Sequence, residues 1–327
     1  MRNLLIGICL GILISVGAYY GKRTAQNYVS SHEMISPIGK ILEKPLDKYT
    51  INNVSARKFS GSQIILEEPT ATTSAYTVYP FHFESDNKKV TGLAHIPTSP
   101  EPAEGFPVIV QFRGYIDQKN YAPGAGTEHS AEVFAQNGFM SLAPDFLGYG
   151  GSDKPSVDVF EERFETYTTA LNLFASVKTL RVADATKIGI WGHSNGGQIA
   201  LTVLEILHRP VAASLWAPVS KPFPYSILYY TDEADDHGKA LRKELASFEE
   251  NYNAELYSLT NYLSRITGPT QIHQGTADDA VPVAWSDTLA KTLKADYFRY
   301  PGADHDMQGA WNTVIARDIV FFEKYLR

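Results

Sequence analysis

Three polar residue types occur in an order that suits covalent catalysis. A serine stands at position 194, an acidic pair follows at Asp278 and Asp279, and His305 follows that pair. A serine hydroxyl attacks a carbonyl carbon efficiently only when a base removes its proton and a third group orients that base. Serine, acid and histidine in this chain order can supply those three groups. The sequence therefore predicts acyl-transfer chemistry at Ser194.

The serine lies in a stretch that is typical of a sharp turn. Ser194 is the central residue of Gly192-His193-Ser194-Asn195-Gly196, which fits the G-x-S-x-G pattern of a nucleophile elbow. The apolar run Ile188–Trp191 precedes the turn, and Gln198–Leu207 follows it with helical apolar spacing. We therefore expect a buried strand, a tight turn that exposes the serine, and a helix, with His193 packed structurally inside the elbow.

From Tyr76 onward the chain alternates between strand and helix patterns, which must position these groups. A hairpin is predicted first, and the strands that follow it are Pro107–Phe112, Phe139–Ala143, Lys187–Trp191, Val211–Ala217, Thr270–Gln274 and Tyr297–Tyr300. Predicted helices other than the elbow helix are Thr127–Asn137, Phe160–Leu180, Val283–Leu293 and Trp311–Leu326. This alternation predicts an α/β fold, with a mainly parallel twisted sheet and helices on both faces.

An insertion interrupts the alternation between residues 218 and 269. Two helical pieces are predicted within it, His237–Glu250 and Ala254–Arg265, and together they are expected to form a helical lid over the serine. Acidic residues crowd its start at Asp232, Glu233, Asp235 and Asp236. They are interpreted as a solvated face, with reception of a cationic substrate group as the alternative.

The acid and the histidine each follow a predicted strand. Asp278 and Asp279 come shortly after Thr270–Gln274, and His305 comes shortly after Tyr297–Tyr300. Catalytic groups of open α/β sheets gather at the carboxyl ends of the strands. The residues alone do not choose between the two aspartates.

On these residues the chain from about Lys89 to its end resembles the α/β-hydrolase superfamily. Within it, the chain is most similar to the catalytic domain of the prolyl oligopeptidase family and its dienelactone hydrolase and acetyl esterase relatives. The segments that carry the resemblance are Gly192–Gly197, His273–Pro282, Asp304-His305 and Pro144–Ser152. The resemblance implies an α/β-hydrolase fold and a Ser194–Asp278–His305 triad, because the family uses the first acid of that turn. Gln274, between His273 and Gly275, is a difference from the family pattern.

Two main-chain donors are expected to hold the oxyanion that forms during acyl transfer. Removing one such donor costs roughly 10²–10³ in rate. The first is the N–H of Asn195, directly after the nucleophile. The second is the N–H of Tyr115, in the loop that follows Pro107–Phe112. Arg113 stands where relatives commonly have histidine, and it is interpreted as part of a structural ion pair or, alternatively, as a ligand of a substrate carboxylate.

The predicted function is that of a serine hydrolase that cleaves peptide or ester bonds through an acyl-enzyme, without a cofactor. The resemblance favours a prolyl-oligopeptidase-like serine peptidase. Such peptidases commonly carry a β-propeller, and the residues before Tyr76 are too few to form one, so a carboxylesterase of small esters is the alternative. A non-catalytic binding protein with a hydrolase fold is a more remote alternative, because no triad member is missing.

Composition and the N-terminal residues indicate which partners and which cellular location to expect. The 327 residues carry a formal charge of −7, which gives no electrostatic footprint for nucleic acid. The histidines lack metal-ligand spacing, so no metal is expected. Residues 1–23 contain an uncharged run between basic residues, and they predict a signal peptide or a membrane anchor. The protein is thus expected to be exported, either anchored to a membrane through this segment or secreted or periplasmic after cleavage.

The expected domain organisation follows from these patterns. Residues 24–75 are interpreted as a spacer and small extension, and residues 76–327 as the catalytic domain with the insertion. A small ester or peptide substrate is the expected partner. The sequence does not indicate which oligomeric state the protein adopts.

Overall fold

The computed structural model describes residues 44–231 and 236–327, of which Leu46–Arg327 belong to one compact unit. The predicted signal peptide or anchor lies outside the described residues, so export stays a prediction. Among the helices that are described, none is long and apolar enough to span a bilayer.

One mixed sheet organises the described chain. Its strands are β1 Ile65–Leu66, β2 Ala71–Thr72, β3 Tyr76–Ser85, β4 Lys88–Pro97, β5 Phe106–Phe112, β6 Met140–Pro144, β7 Ala183–His193, β8 Ala213–Trp216, β9 Thr270–Gly275 and β10 Asp296–Tyr300. The strand order is β1-β3-β4-β6-β5-β7-β8-β9-β10, with β2 paired to β3. The four strands at the N-terminal end are antiparallel, and β6, β5 and β7 to β10 are parallel.

The order in which the chain connects the parallel strands reverses at β5. The chain passes from β5 to β6 on one side and then returns to β7 on the other side of β5. Ligand sites of doubly wound sheets form at such a switch point, outside the carboxyl ends of the strands. The elbow after β7 and the loop after β5 therefore leave the sheet side by side.

A tight hairpin joins β3 to β4. Its turn consists of Asp86 and Asn87, whose φ angles are 52° and 63°. Two consecutive residues with positive φ match the right-handed twist of the two strands, and Asp and Asn tolerate that conformation best among residues with side chains. The predicted hairpin is confirmed, and its turn has two residues, since Ser85 pairs with Lys88.

Helices cover both faces of the sheet, as predicted. The α-helices of the described chain are α1 Ile51–Ala56, α2 Glu128–Gln136, α3 Val159–Ser176, α4 Asn195–Leu207, α5 Tyr225–Leu228, α6 Lys239–Asn251, α7 Val283–Leu293 and α8 Trp311–Leu326. One buried cluster contains residues of α3 and α4, including Phe164 and Leu201, and another contains residues of α2 and α8, including Phe134 and Phe322. The architecture is that of an α/β-hydrolase fold.

The insertion packs against α3 through aromatic rings. The Phe160 and Phe248 ring centroids are 5.0 Å apart, the Phe164 and Tyr257 centroids are 4.8 Å apart, and Phe223 contacts the same cluster. The first predicted helical piece is confirmed as α6. The second is a series of 3₁₀ turns instead, Ala254–Tyr257, Leu259–Asn261 and Leu263–Arg265. A lid role for this insertion stays a prediction.

Candidate active site

Ser194 occupies a strained turn between β7 and α4. Its φ and ψ are 57° and −118°, a region that residues with a Cβ rarely adopt. Its N–H donates to the carbonyl oxygen of Trp216 at 2.9 Å, and its own carbonyl accepts from the N–H of Val219 and of Gly197, each at 3.0 Å. Because strand β8 and helix α4 both bond this peptide, the strained conformation is fixed by its surroundings.

Gly192 and Gly196 let the elbow turn within so little space. A Cβ on Gly196 would overlap the main-chain oxygen of Phe112 in β5, and a Cβ on Gly192 would stand 2.6 Å from the carbonyl oxygen of Gly196. Real Cβ atoms do not approach main-chain atoms this closely, so only glycine fits at either position. Both glycines of the G-x-S-x-G pattern are therefore required by the close packing of the elbow.

His305 and Asp278 meet at the carboxyl ends of β9 and β10. The Nδ1 of His305 lies 2.9 Å from Oδ2 of Asp278, whose side chain is fully buried. The other carboxylate oxygen of Asp278 accepts from the main-chain N–H of Ala280 at 2.9 Å and of Val281 at 2.7 Å. Asp279 is exposed and acts on His305 only through its charge. The sequence alone does not decide between Asp278 and Asp279, and in the structure Asp278 is the one that contacts the imidazole.

The pKa values of the pair shift in opposite directions. Burial opposes ionisation of Asp278, but the hydrogen bonds from His305 and the N–H of Val281, among other contacts, outweigh it and lower the pKa of this carboxyl. Burial also opposes charging of His305, but the hydrogen bond and charge of Asp278 outweigh that effect and raise the pKa of the imidazole. Each partner thus stabilises the charged form of the other.

Gln274 contacts Asp278, and His193 contacts His305. The sequence predicts neither contact. Gln274 Nε2 donates to Oδ2 of Asp278 at 2.8 Å, so the residue that differs from the family pattern anchors the acid. His193 Nε2 lies 3.0 Å from the main-chain oxygen of His305, and the two ring centroids are 4.7 Å apart. Burial and the neighbouring His305 lower the pKa of His193 to about 4, so its ring is neutral and Nε2 donates to that carbonyl.

The loop after β5 brings Tyr115 alongside the nucleophile. A Cβ built on Gly114 would lie 3.3 Å from the Cβ of Ser194. Tyr115 and Asn195 both line a cavity of about 310 Å³ at this point. Within residues 44–231 and 236–327, the main-chain N–H of neither residue donates a hydrogen bond. Both N–H groups are thus unpaired within the described chain, in residues that line this cavity, and their role as oxyanion donors stays a prediction.

Arg113 is buried in the wall of the same cavity, without the ion pair that was predicted for it. Its guanidinium lies 4.6 Å from the ring centroid of Tyr121 and 4.1 Å from that of Tyr149. It donates to the carbonyl oxygens of Gly114 at 2.9 Å and Asp145 at 3.3 Å, and no described carboxylate pairs with it. The ion-pair interpretation is wrong, since two aromatic faces and main-chain oxygens hold this cation and fix the loop that carries Tyr115.

The acidic group at the start of the insertion is only partly described. Asp232, Glu233 and Asp235 lie outside the described residues, while the Asp236 carboxylate accepts from the N–H of Gly238 and of Ala240, each at 2.8 Å. That carboxylate therefore caps the start of α6. Over the part of the chain that is described, no three His, Cys, Asp or Glu side chains are grouped to hold a metal ion.

A buried acid that contacts a histidine, beside a serine in a strained elbow, is the arrangement of a serine hydrolase on an α/β-hydrolase fold. Residues 126–327 match the sequence model of the prolyl oligopeptidase family, Peptidase_S9. This match covers more than half of the chain, and the chain belongs to that family. The resemblance stated from the sequence is confirmed, and the protein is a serine hydrolase.

Solved structures with the same fold include esterases and a peptidase. An acetyl xylan esterase from Paenibacillus sp. R4 is 18% identical with a TM-score of 0.64, over 87% of this chain and 95% of that one. Acetyl xylan esterase 1 from Thermoanaerobacterium sp. JW/SL YS485 is 16% identical with a TM-score of 0.63, over 87% and 94%. A Mycobacterium tuberculosis puromycin-hydrolyzing peptidase is 20% identical with a TM-score of 0.61, over 79% and 41%. No curated protein sequence matches the chain.

Proposed function

We propose that this protein hydrolyses esters of small carboxylic acids, with Ser194 as the nucleophile. The observation that carries the proposal is the 2.9 Å contact between His305 Nδ1 and the buried Asp278 carboxylate, close to the elbow that holds Ser194. A carboxylate on Nδ1 keeps the proton on that nitrogen and leaves Nε2 free to act as a base.

In the proposed reaction, Nε2 of His305 takes the proton of the Ser194 hydroxyl as the serine oxygen bonds to the ester carbon. The carbonyl electron pair moves to the oxygen, which the N–H groups of Tyr115 and Asn195 bind. His305 then returns the proton to the alcohol as the C–O bond breaks, leaving an acyl-enzyme. Water attacks that acyl-enzyme with His305 as the base again, and the acid is released.

The choice of small esters draws support from the cavity and from the relatives. The cavity of about 310 Å³ beside the two N–H groups is at the small end of ligand pockets. The fold likeness extends over nearly the whole length of two acetyl xylan esterases, but over only 41% of the puromycin-hydrolyzing peptidase.

Peptide-bond hydrolysis by the same groups is the second candidate function. The match of residues 126–327 to the prolyl oligopeptidase family favours it. The mechanism differs only in the leaving group, which is an amine that must receive a proton from His305 before it departs.

A paired assay tests both candidates. p-Nitrophenyl esters of increasing acyl length are compared with aminoacyl and Gly-Pro p-nitroanilides, and Ser194→Ala serves as the blank. We expect cleavage of the short esters by the native protein and none above background by Ser194→Ala. Equal ester cleavage by that variant would refute the mechanism, whereas efficient anilide cleavage would move the assignment to a peptidase.

A further inference from the structure

The first turns of helix α3 carry three glutamates whose side chains differ in their partners. The Glu161 carboxylate accepts from Ser156 Oγ at 2.7 Å and pairs with Lys48 at 2.9 Å. Glu165 pairs with Lys88 and also accepts from the N–H of Ser156. Within residues 44–231 and 236–327, the carboxylate of Glu162 has neither a hydrogen bond nor an ion pair.

Glu162 lines the cavity that also contains Tyr115 and Asn195. It is half-buried there, and burial together with the charge of Glu165 raises the pKa of its carboxyl. A carboxylate that loses water without gaining a cation is an unfavourable arrangement, and a positively charged ligand group would relieve it.

Arg113 and Arg163 share this cavity, and within the described chain neither acts on the Glu162 carboxylate, on which only burial and the charge of Glu165 act. The guanidinium of Arg113 is held between two tyrosine rings and donates to main-chain oxygens. Arg163 donates to Oε1 of Gln198 at 2.6 Å. The other glutamate that acts on Glu162, Glu165, adds negative charge. The carboxylate of Glu162 can therefore still bind a cationic group of a ligand in this cavity.

The cavity lies on the acyl side of the proposed reaction centre. Its lining includes Tyr115 and Asn195, the proposed oxyanion donors, and Asn195 directly follows Ser194, but it includes none of Ser194, Asp278 and His305. A leaving group must stay within reach of His305 to receive a proton, so the cavity holds the other half of the substrate.

We propose that Glu162 binds a protonated amine on the acyl part of the substrate, which makes amino-substituted acyl groups the preferred substrate class. This inference rests on the proposed function, since it assigns the acyl group of that same reaction. Glu162 contacts the substrate away from the reacting atoms and determines specificity.

Two esters of equal shape test the proposal. β-Alanine ethyl ester and ethyl butyrate differ by an ammonium group in place of a methyl group. We measure kcat/KM for each by titration of released acid at neutral pH, and divide it by the ester's own rate with hydroxide. The native protein is expected to prefer the ammonium ester by about 10-fold or more, the fold-change that a charge-assisted hydrogen bond gives.

Glu162→Gln is expected to reduce that preference about 10-fold, which corresponds to loss of the same interaction. Glu161→Gln is the matched control, because it removes the neighbouring charge from a side chain outside the cavity, and it should keep the preference. An equal preference in Glu162→Gln and the native protein would overturn the proposal, as would a native protein without preference.

A measurement on the native protein alone guards against a variant that fails to fold. Propylammonium should inhibit ethyl butyrate hydrolysis competitively, with an inhibition constant at least about 10-fold below that of 1-propanol. Equal inhibition by the two would contradict the role of Glu162. The proposed function fails separately, since its failure appears as butyrate hydrolysis that persists in Ser194→Ala.

Discussion

Replacing Asp278 by asparagine tests the arrangement of the proposed triad. Oδ1 of Asp278 accepts two main-chain N–H groups, from Ala280 and Val281, while Oδ2 faces Nδ1 of His305. In Asp278→Asn the amide oxygen must take the position of Oδ1, because an NH₂ group there would oppose two donors. The NH₂ group then faces His305 Nδ1, which must accept instead of donate, and the imidazole proton moves to Nε2.

That tautomer cannot take the proton of Ser194. We expect kcat/KM for a short ester to fall about 10³–10⁴-fold, the loss that a misplaced imidazole proton causes in other serine hydrolase triads. The two main-chain hydrogen bonds to Oδ1 remain, and the side-chain bond from Gln274 Nε2 to Oδ2 is lost, so the free energy of unfolding should fall by less than the free energy that corresponds to the rate loss.

The pH profile provides a second readout of the same change. In the native protein Asp278 raises the pKa of His305 above 6.5, so kcat/KM should rise with pH through a limb that lies above 6.5. Without the carboxylate, burial still lowers the pKa of the imidazole, and only the charges of Asp306 and Asp279 oppose it. The acidic limb of Asp278→Asn should therefore move to lower pH than that of the native protein.

The control is Asp279→Asn, on the same turn. Asp279 is exposed and affects His305 only through its charge, so this variant should lose less than about threefold in kcat/KM, as expected of an exposed charge with no direct contact. The reasoning would be refuted by a larger loss in Asp279→Asn than in Asp278→Asn, or by an acidic limb that stays in place in Asp278→Asn.

Two further predictions concern stability. Glu205 is fully buried and has no hydrogen-bond partner among the residues that the structure describes, and its burial raises its pKa well above its ordinary value of 4.5 despite the charge of Arg265. The free energy of unfolding should therefore fall by about 1.4 kcal/mol per pH unit from 4.5 up to the folded pKa, and Glu205→Gln should remove this slope in urea titrations across pH 5–8. Gly196→Ala would force a Cβ against the Phe112 carbonyl oxygen, so it should abolish ester hydrolysis and lower the free energy of unfolding by about 1–3 kcal/mol.

Each of these two predictions has a contradicting result. Parallel pH curves for Glu205→Gln and the native protein would show that the buried carboxyl does not titrate in this range. Full activity of Gly196→Ala would show that the elbow tolerates a side chain. Gly302→Ala is the control for Gly196→Ala. An added Cβ at Gly302 has no described atom within 4 Å, so this variant shows the effect of a positive φ without a steric clash.

The sequence predicts the sheet because the periodicity of each strand is local. Continuous apolar runs such as Pro107–Phe112 can be recognised from a few residues, and the observed strand β5 is buried at every position. The spacing of serine, acid and histidine after separate strands is informative for the same reason. Parallel strands must present their carboxyl ends at one edge, so groups far apart in sequence are brought together.

The interpretation of Ala254–Arg265 as one helix is wrong for a local reason that the apolar spacing hides. Asn253 Oδ1 accepts from the N–H of Glu255, and Asn261 Nδ2 donates to the Glu255 carbonyl. Short polar side chains that bond nearby main-chain groups compete with the helical ladder. The segment therefore forms 3₁₀ turns that still bury Tyr257, Leu259 and Leu263.

The contacts that refine the candidate site join residues whose meeting no local pattern encodes. His193 reaches a main-chain oxygen 112 positions away, and Arg113 bonds a carbonyl 32 positions away. Main-chain acceptors have no sequence signature, so the sequence could offer only an ion pair or a substrate contact for Arg113. Glu162 was missed for a similar reason, since a carboxylate without a partner is recognised only when all its neighbours are known.

Acyl preference and the choice between ester and amide are decided in different parts of the candidate site. The cavity with Glu162 is lined by Tyr115 and Asn195, and in the proposed reaction it would hold the acyl group, which is common to an ester and an amide of the same acid. The leaving group depends instead on proton delivery from His305, because an amine must be protonated before it departs and an alcohol needs that proton less. By raising the pKa of His305, Asp278 makes the neutral imidazole a stronger base and the imidazolium a weaker acid. The same acid–histidine pair protonates the departing amine in peptidase triads, so Asp278 does not by itself favour esters over amides.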